Sequence, residues 1–139
     1  MKMKNDQLKQ LIDTSRRIIL KVGSSLLINE NNNDINHHWL KNFSKEIQSL
    51  TNKKKQIMIV SSGSIALGRK QLNLFKNLTL DEKQAAAAVG QIHLSHAWKE
   101  VLKSFNLDSA QILLAPDDTE TRRKHLNARA TLLKLLQLN

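Results

Sequence analysis

Lys21, Gly23 and Ser24 stand close together near the start of the chain, and Ser62, Gly63 and Ser64 form a second glycine and hydroxyl run further on. These residue types suit the handling of an anion. Glycine lets backbone N–H groups approach a negatively charged oxygen closely, lysine adds a movable positive charge, and serine hydroxyls can donate or accept. Either run alone is a weak signal, because many buried strands end in Gly-Ser turns.

The elements around these runs give them weight. Ile18 to Leu20 is a short apolar run that reads as a buried strand delivering Lys21 into the Gly23 turn. Ile57 to Val60 reads as a second strand, followed by Ser61 to Ser64 and then a helical stretch from Ile65 to Gly68. Strand, glycine and hydroxyl turn, then helix therefore occur twice. Ala110 to Leu114 is expected to be a third strand, stopped by Pro116.

Helical patterns alternate with these strands. Leu40, Phe43, Ile47 and Leu50 fall on one face of a predicted helix that Asn36 can cap. Thr79-Leu80-Asp81-Glu82 is a capping box and opens a long helix to about Phe105. Leu94, Trp98, Val101, Leu102 and Phe105 share one face of its second half. Its first half, with Ala85 to Ala88 and Gly90, is thin enough for another element to approach, as core packing or as a dimer contact. A last helix follows the charged cluster Asp117 to Lys124 and carries Leu126, Ala130, Leu133 and Leu138. Residues 1–15 are expected to be a polar extension with a weak helical turn or two, Asn29 to Asn36 a loop, and Lys53 to Lys55 a solvated turn. The alternation predicts an α/β class, an αβα sandwich with a mostly parallel sheet. Ligands of such sheets gather at the carboxyl ends of the strands, where both glycine turns fall.

Composition sets the outer limits. A chain of 139 residues with 40% hydrophobic content is one domain by size. Its net charge of +10 makes a basic nucleic-acid-binding module an alternative, but the charge is spread over helices and turns rather than gathered in a stripe. Aromatic residues make up only 4% and do not interleave with the basic clusters, which counts against a single-strand stacking platform. The absence of cysteine excludes a disulfide framework and a cysteine-ligated zinc site. No signal peptide and no membrane span is predicted, so a cytoplasmic location is expected.

Other motifs fall away on inspection. Gly63 and Gly68 bracket the interval of a Walker A loop, but Gly68 is followed by Arg69-Lys70-Gln71 rather than by lysine and a hydroxyl residue. Ser62 and Ser64 lack the Gly-x-Ser-x-Gly elbow of a serine nucleophile. His93 and His96 have no third metal ligand in view, and no metal site is predicted. Arg122 to His125 reads as the solvated start of a helix.

Four ordered blocks carry a resemblance. Ile19-Leu20-Lys21-Val22-Gly23-Ser24-Ser25, Val60 to Gly68, Lys83 to Gln91 and Leu126 to Leu132 together resemble the glutamate 5-kinase family within the amino acid kinase fold. The resemblance implies ATP-dependent phosphorylation of the side-chain carboxylate of L-glutamate, with Mg2+ as the ATP complex, at the start of proline synthesis. It implies that Lys21 is catalytic and contacts ATP phosphates with Gly23 and Ser24, and that Ser62, Gly63 and Ser64 line the glutamate site. Ser64 departs from the family's usual alanine. Later segments of the family pattern, among them a second phosphate lysine, do not follow Asn139. The resemblance therefore implies an N-terminal, glutamate-side half, residues 16–139 after the extension, weak or inactive alone. Its expected partners are a C-terminal half or another copy, and a non-catalytic interaction fragment is the further alternative.

Overall fold

The computed structural model describes residues 5–29, 32–74 and 77–138. They fall into two compact units, Met1–Leu107 and Asp108–Asn139.

The first unit is built on a parallel pair. Strand β1 (Arg17–Val22) follows helix α1 (Asn5–Thr14), and strand β4 (Gln56–Ser61) lies beside β1 with Leu20 opposite Ile59 and Lys21 opposite Val60. Between them come helix α2 (Ser24–Leu27), the short antiparallel strands β2 (Ile28–Asn29) and β3 (Asp34–Ile35), and helix α3 (His37–Asn52). Helix α4 (Ser64–Gln71) and the long helix α5 (Leu80–Lys103) complete the unit.

Alternation along β1 separates two faces. Ile18, Leu20 and Val22 turn inward, whereas Arg17, Ile19 and Lys21 are exposed. Leu20, Ile57 and Ile59 pack on a core made of Leu40 and Ile47 from α3, Leu67 from α4, and Leu94, Trp98 and Leu102 from α5. The opposite face is open, with Ile19 62% and Val60 53% exposed. The α/β class and the parallel pairing agree with the sequence reading, and the sheet is small.

Both predicted caps form. Asn36 Oδ1 accepts from the Trp39 N–H at 3.1 Å, and Thr79 and Glu82 make the reciprocal box at the start of α5. The thin half of α5 serves core packing. A Cβ on Gly68 would lie 1.8 Å from the Ala86 carbonyl oxygen, and one on Gly90 would lie 1.8 Å from that of Ser64. Only hydrogen fits at these two crossings of α4 and α5.

Several expectations change. The segment Asn29 to Asn36 holds the β2 and β3 pairing rather than a plain loop, although residues 30 and 31 lie outside the described residues. The N-terminal extension contains a full helix of ten residues, with residues 1–4 outside the description. Lys55 is not simply solvated. Its ammonium donates to the carbonyls of Asp13 and Ser15, each at 2.6 Å, and so ties the end of α1 to the start of β4.

In the second unit, Ala110 to Leu114 forms no strand, and Leu113 and Leu114 are 72% and 51% exposed. A strand exists only through its ladder, and none of the described strands pairs with this segment. The charged cluster makes a short turn, α6 (Asp117–Glu120), before helix α7 (Arg122–Leu138). Asp117 pairs with Lys124 and accepts from Thr121, which holds its carboxyl below the usual carboxylate range. Arg122 to His125 are exposed, as a solvated helix start requires. Asn139 lies outside the described residues.

Candidate active site

Parallel pairing sets Val22 opposite Ser61, so the chain leaves both strands at one edge, through Gly23 and through Ser62. Ser62 joins the two exits. Its backbone N–H donates to the Val22 carbonyl at 3.1 Å, and its hydroxyl donates to the same oxygen at 3.2 Å. A carbonyl can only accept, so the hydroxyl proton is committed there. The exposed Ser62 Oγ is left with lone pairs to offer a ligand.

Gly63 follows with φ of 123°, in the region that favours glycine, and begins α4. A Cβ there would lie 3.2 Å from Ile28 Cγ1 and 3.9 Å from Ser24 Cβ. The second turn is therefore packed beside the first. Gly23 differs in kind. Its φ of −76° and ψ of 155° are open to any residue, and a Cβ would meet only Ser25 Oγ, at 3.9 Å. Packing does not demand glycine at this position, and the missing side chain leaves open space beside the turn.

Lys21 lies on the open face of the sheet, across from Val60. Its side chain is exposed, and among the described residues its ammonium makes no hydrogen bond or ion pair. Ser64 is the first residue of α4, half-buried, with its carbonyl under Gly90. The sequence-predicted residues thus divide into Ser24, Ser62 and Gly63 at adjacent turns, an adjoining Ser64, a Gly23 bordered by open space, and an exposed Lys21 one residue before Val22.

Two supporting residues had not been singled out for a role here. Ser61 accepts the indole N–H of Trp98 at 3.0 Å, which pins the end of β4 to α5. Helical spacing assigns Trp98 to the core, and a buried indole needs an acceptor, so a partner could be anticipated but not identified. His93 and His96 are exposed on α5, and among the described residues no three metal-binding side chains converge.

The sequence model of the amino acid kinase family matches residues 16–139, which includes both strands and both turns. This chain belongs to the amino acid kinase family. Among curated members, it is similar to the glutamate 5-kinase of Paramagnetospirillum magneticum, 44% identical over 124 residues, covering 89% of this chain and 34% of that protein. It is 47% identical to the glutamate 5-kinase of Gluconobacter oxydans over 125 residues, 89% of this chain and 33% of that one. The enzyme of the same name from Rhodopseudomonas palustris strain BisB5 is 50% identical over 123 residues, 88% of this chain and 33% of its own length. The chain spans about a third of the length of the curated relatives it matches. Among the described residues, no helix of this amino acid kinase chain is long and apolar enough to cross a membrane.

Proposed function

We propose that this chain supplies the amino-acid side of a cytoplasmic glutamate 5-kinase, which transfers the γ-phosphoryl group of ATP to the side-chain carboxylate of L-glutamate. The product is L-glutamyl 5-phosphate, at the start of proline biosynthesis. The observation that carries the reading is the pair of hydrogen bonds that Ser62 donates to the Val22 carbonyl, because it fixes a hydroxyl and glycine turn beside a lysine and glycine turn at one sheet edge.

Each group has a role in this reading. Lys21, free of other partners among the described residues, balances phosphate charge. The open space at Gly23, next to Ser24, admits nucleotide phosphates close to the backbone. Ser62 Oγ, with its proton committed to Val22, accepts from the ammonium of the amino acid, and Gly63 and Ser64 line the same turn. A carboxylate oxygen of glutamate attacks the γ-phosphorus while the bond to ADP breaks, so the negative charge of the attacking group passes to the leaving ADP. Mg2+, as the ATP complex, neutralises phosphate charge when bound.

Phosphoryl transfer depends on positioning and on several cations around the moving group. A lysine about 4 Å from a phosphate oxygen is worth roughly 4 kcal/mol at an effective dielectric near 20, so one lysine covers only part of the requirement. The reading therefore expects slow turnover by this chain alone, and a faster rate once a further segment or a second copy docks.

Calorimetric titration of the chain with L-glutamate and with ATP and Mg2+ tests the proposal. Saturable binding of both is expected, with Ser62→Ala weakening glutamate about tenfold, as the loss of a hydrogen bond to a charged group does. Lys21→Ala should weaken the nucleotide and leave glutamate unchanged. A folded chain that binds no glutamate would overturn the reading.

A further inference from the structure

The Ser62 turn is held from a second direction. The Trp98 indole N–H donates to Ser61 Oγ at 3.0 Å, and Ser61 Oγ in turn donates to the Ser62 carbonyl at 3.4 Å. Ser62 itself spends both of its donors on Val22. Its backbone carbonyl, backbone N–H and hydroxyl are thereby all assigned to fixed partners, and the first assignment starts in α5.

Trp98 is suited to this task. It is buried in the core, its ring meets Phe43 edge-on with centroids 6.1 Å apart, and Phe43 stacks on Trp39 at 4.8 Å. A ring held this firmly presents its N–H in one direction, and donating to Ser61 leaves the proton of that hydroxyl to point onward to Ser62. The same helix meets the turn again eight positions earlier, where Gly90 lies against the Ser64 carbonyl.

We infer that Trp98 is a positioning residue for the substrate turn, acting through Ser61 to fix the Ser62 peptide and so the direction in which Ser62 Oγ faces its ligand. The inference rests on the reading of Ser62 as a substrate contact, but its effect on the turn is present without ligand. It also separates two roles of one side chain. The ring fills the core, and the N–H sets the geometry of the turn.

Amide hydrogen exchange of the full chain tests this without substrate. Trp98→Phe keeps an aromatic ring against Phe43 and removes the N–H, whereas Ser61→Ala removes the relay hydroxyl. Each should speed exchange of the Ser62 to Ser64 amides roughly fivefold, the loss expected for one hydrogen bond, while α3 amides stay unchanged. The double variant should be no worse than either single one, and Ser61→Thr should restore the wild-type rate. Unchanged exchange at Ser62 in Trp98→Phe, or additive effects in the double variant, would overturn the inference. A parallel glutamate titration keeps the two readings apart. Weaker binding in Trp98→Phe and Ser61→Ala, rescued in Ser61→Thr, supports the positioning role, and the absence of binding by the wild-type chain counts against the kinase reading alone.

Discussion

Ser62 gives both its backbone N–H and its hydroxyl proton to one acceptor, the Val22 carbonyl, at 3.1 and 3.2 Å. Residues 40 positions apart are joined in this way at the ends of two parallel strands. Ser62→Ala keeps the backbone bond and loses the second one. It should lower stability by about 1 kcal/mol, read as a shift of the urea midpoint with an unchanged slope. A shift several times larger would show that the hydroxyl carries more of the strand junction than a single bond.

The two turn glycines should respond differently to the same substitution. Gly63→Ala forces a side chain into a left-handed conformation with Ile28 at 3.2 Å, and is expected to destabilise by about 1–3 kcal/mol. Gly23→Ala meets open space at an ordinary backbone conformation and should be neutral or stabilising by a few tenths of a kcal/mol. If Gly23→Ala also weakens nucleotide binding in calorimetry, the space belongs to the ligand.

Gly90→Ala drives a methyl group into the Ser64 carbonyl, an atom that cannot rotate away. The two helices must separate, at a cost of about 3 kcal/mol. Thermal unfolding followed by circular dichroism should show a clear loss, and Gly68→Ala should match it through the Ala86 carbonyl.

Asp34 and Lys70 form an ion pair at 2.6 Å between β3 and α4. The Lys70 ammonium, helped by the Ile35 N–H, holds the Asp34 carboxyl below its usual value of 3.8. A carboxyl lowered in the folded state stabilises the fold above its unfolded pKa, and that contribution is lost as pH falls through the folded value. Stability should therefore show a small decline below about pH 4 that Lys70→Met reduces, with the Asp34 titration moving upward in NMR. Both groups are about half exposed, so the effect is modest and shrinks with added salt.

Much of the frame was legible in local pattern. The apolar runs at Ile18 and Ile57, the Asn36 cap and the Thr79 and Glu82 box each depend on neighbours within a few residues, and each formed. The thin face of α5 was also visible, but the choice between core and dimer packing was not. That choice fell to α4, whose own glycine, Gly68, matches Gly90 across the crossing. Lys55 gave no local sign of its bonds to Asp13 and Ser15, because those acceptors are carbonyls freed at the end of a helix 40 residues away.

The sequence by itself determined the α/β class, the paired strand and glycine turns, and the family to which they point, since periodicity, turn chemistry and ordered motifs are properties of the chain. Only the tertiary structure decided that Ala110 to Leu114 stays out of a ladder, that Lys21 lies on an open sheet face, and that Trp98 reaches Ser61. A hydrogen bond needs its partner in space as well as its donor in sequence. For Ser62 that partner, the Val22 carbonyl, exists at the right distance only after the two strands have aligned.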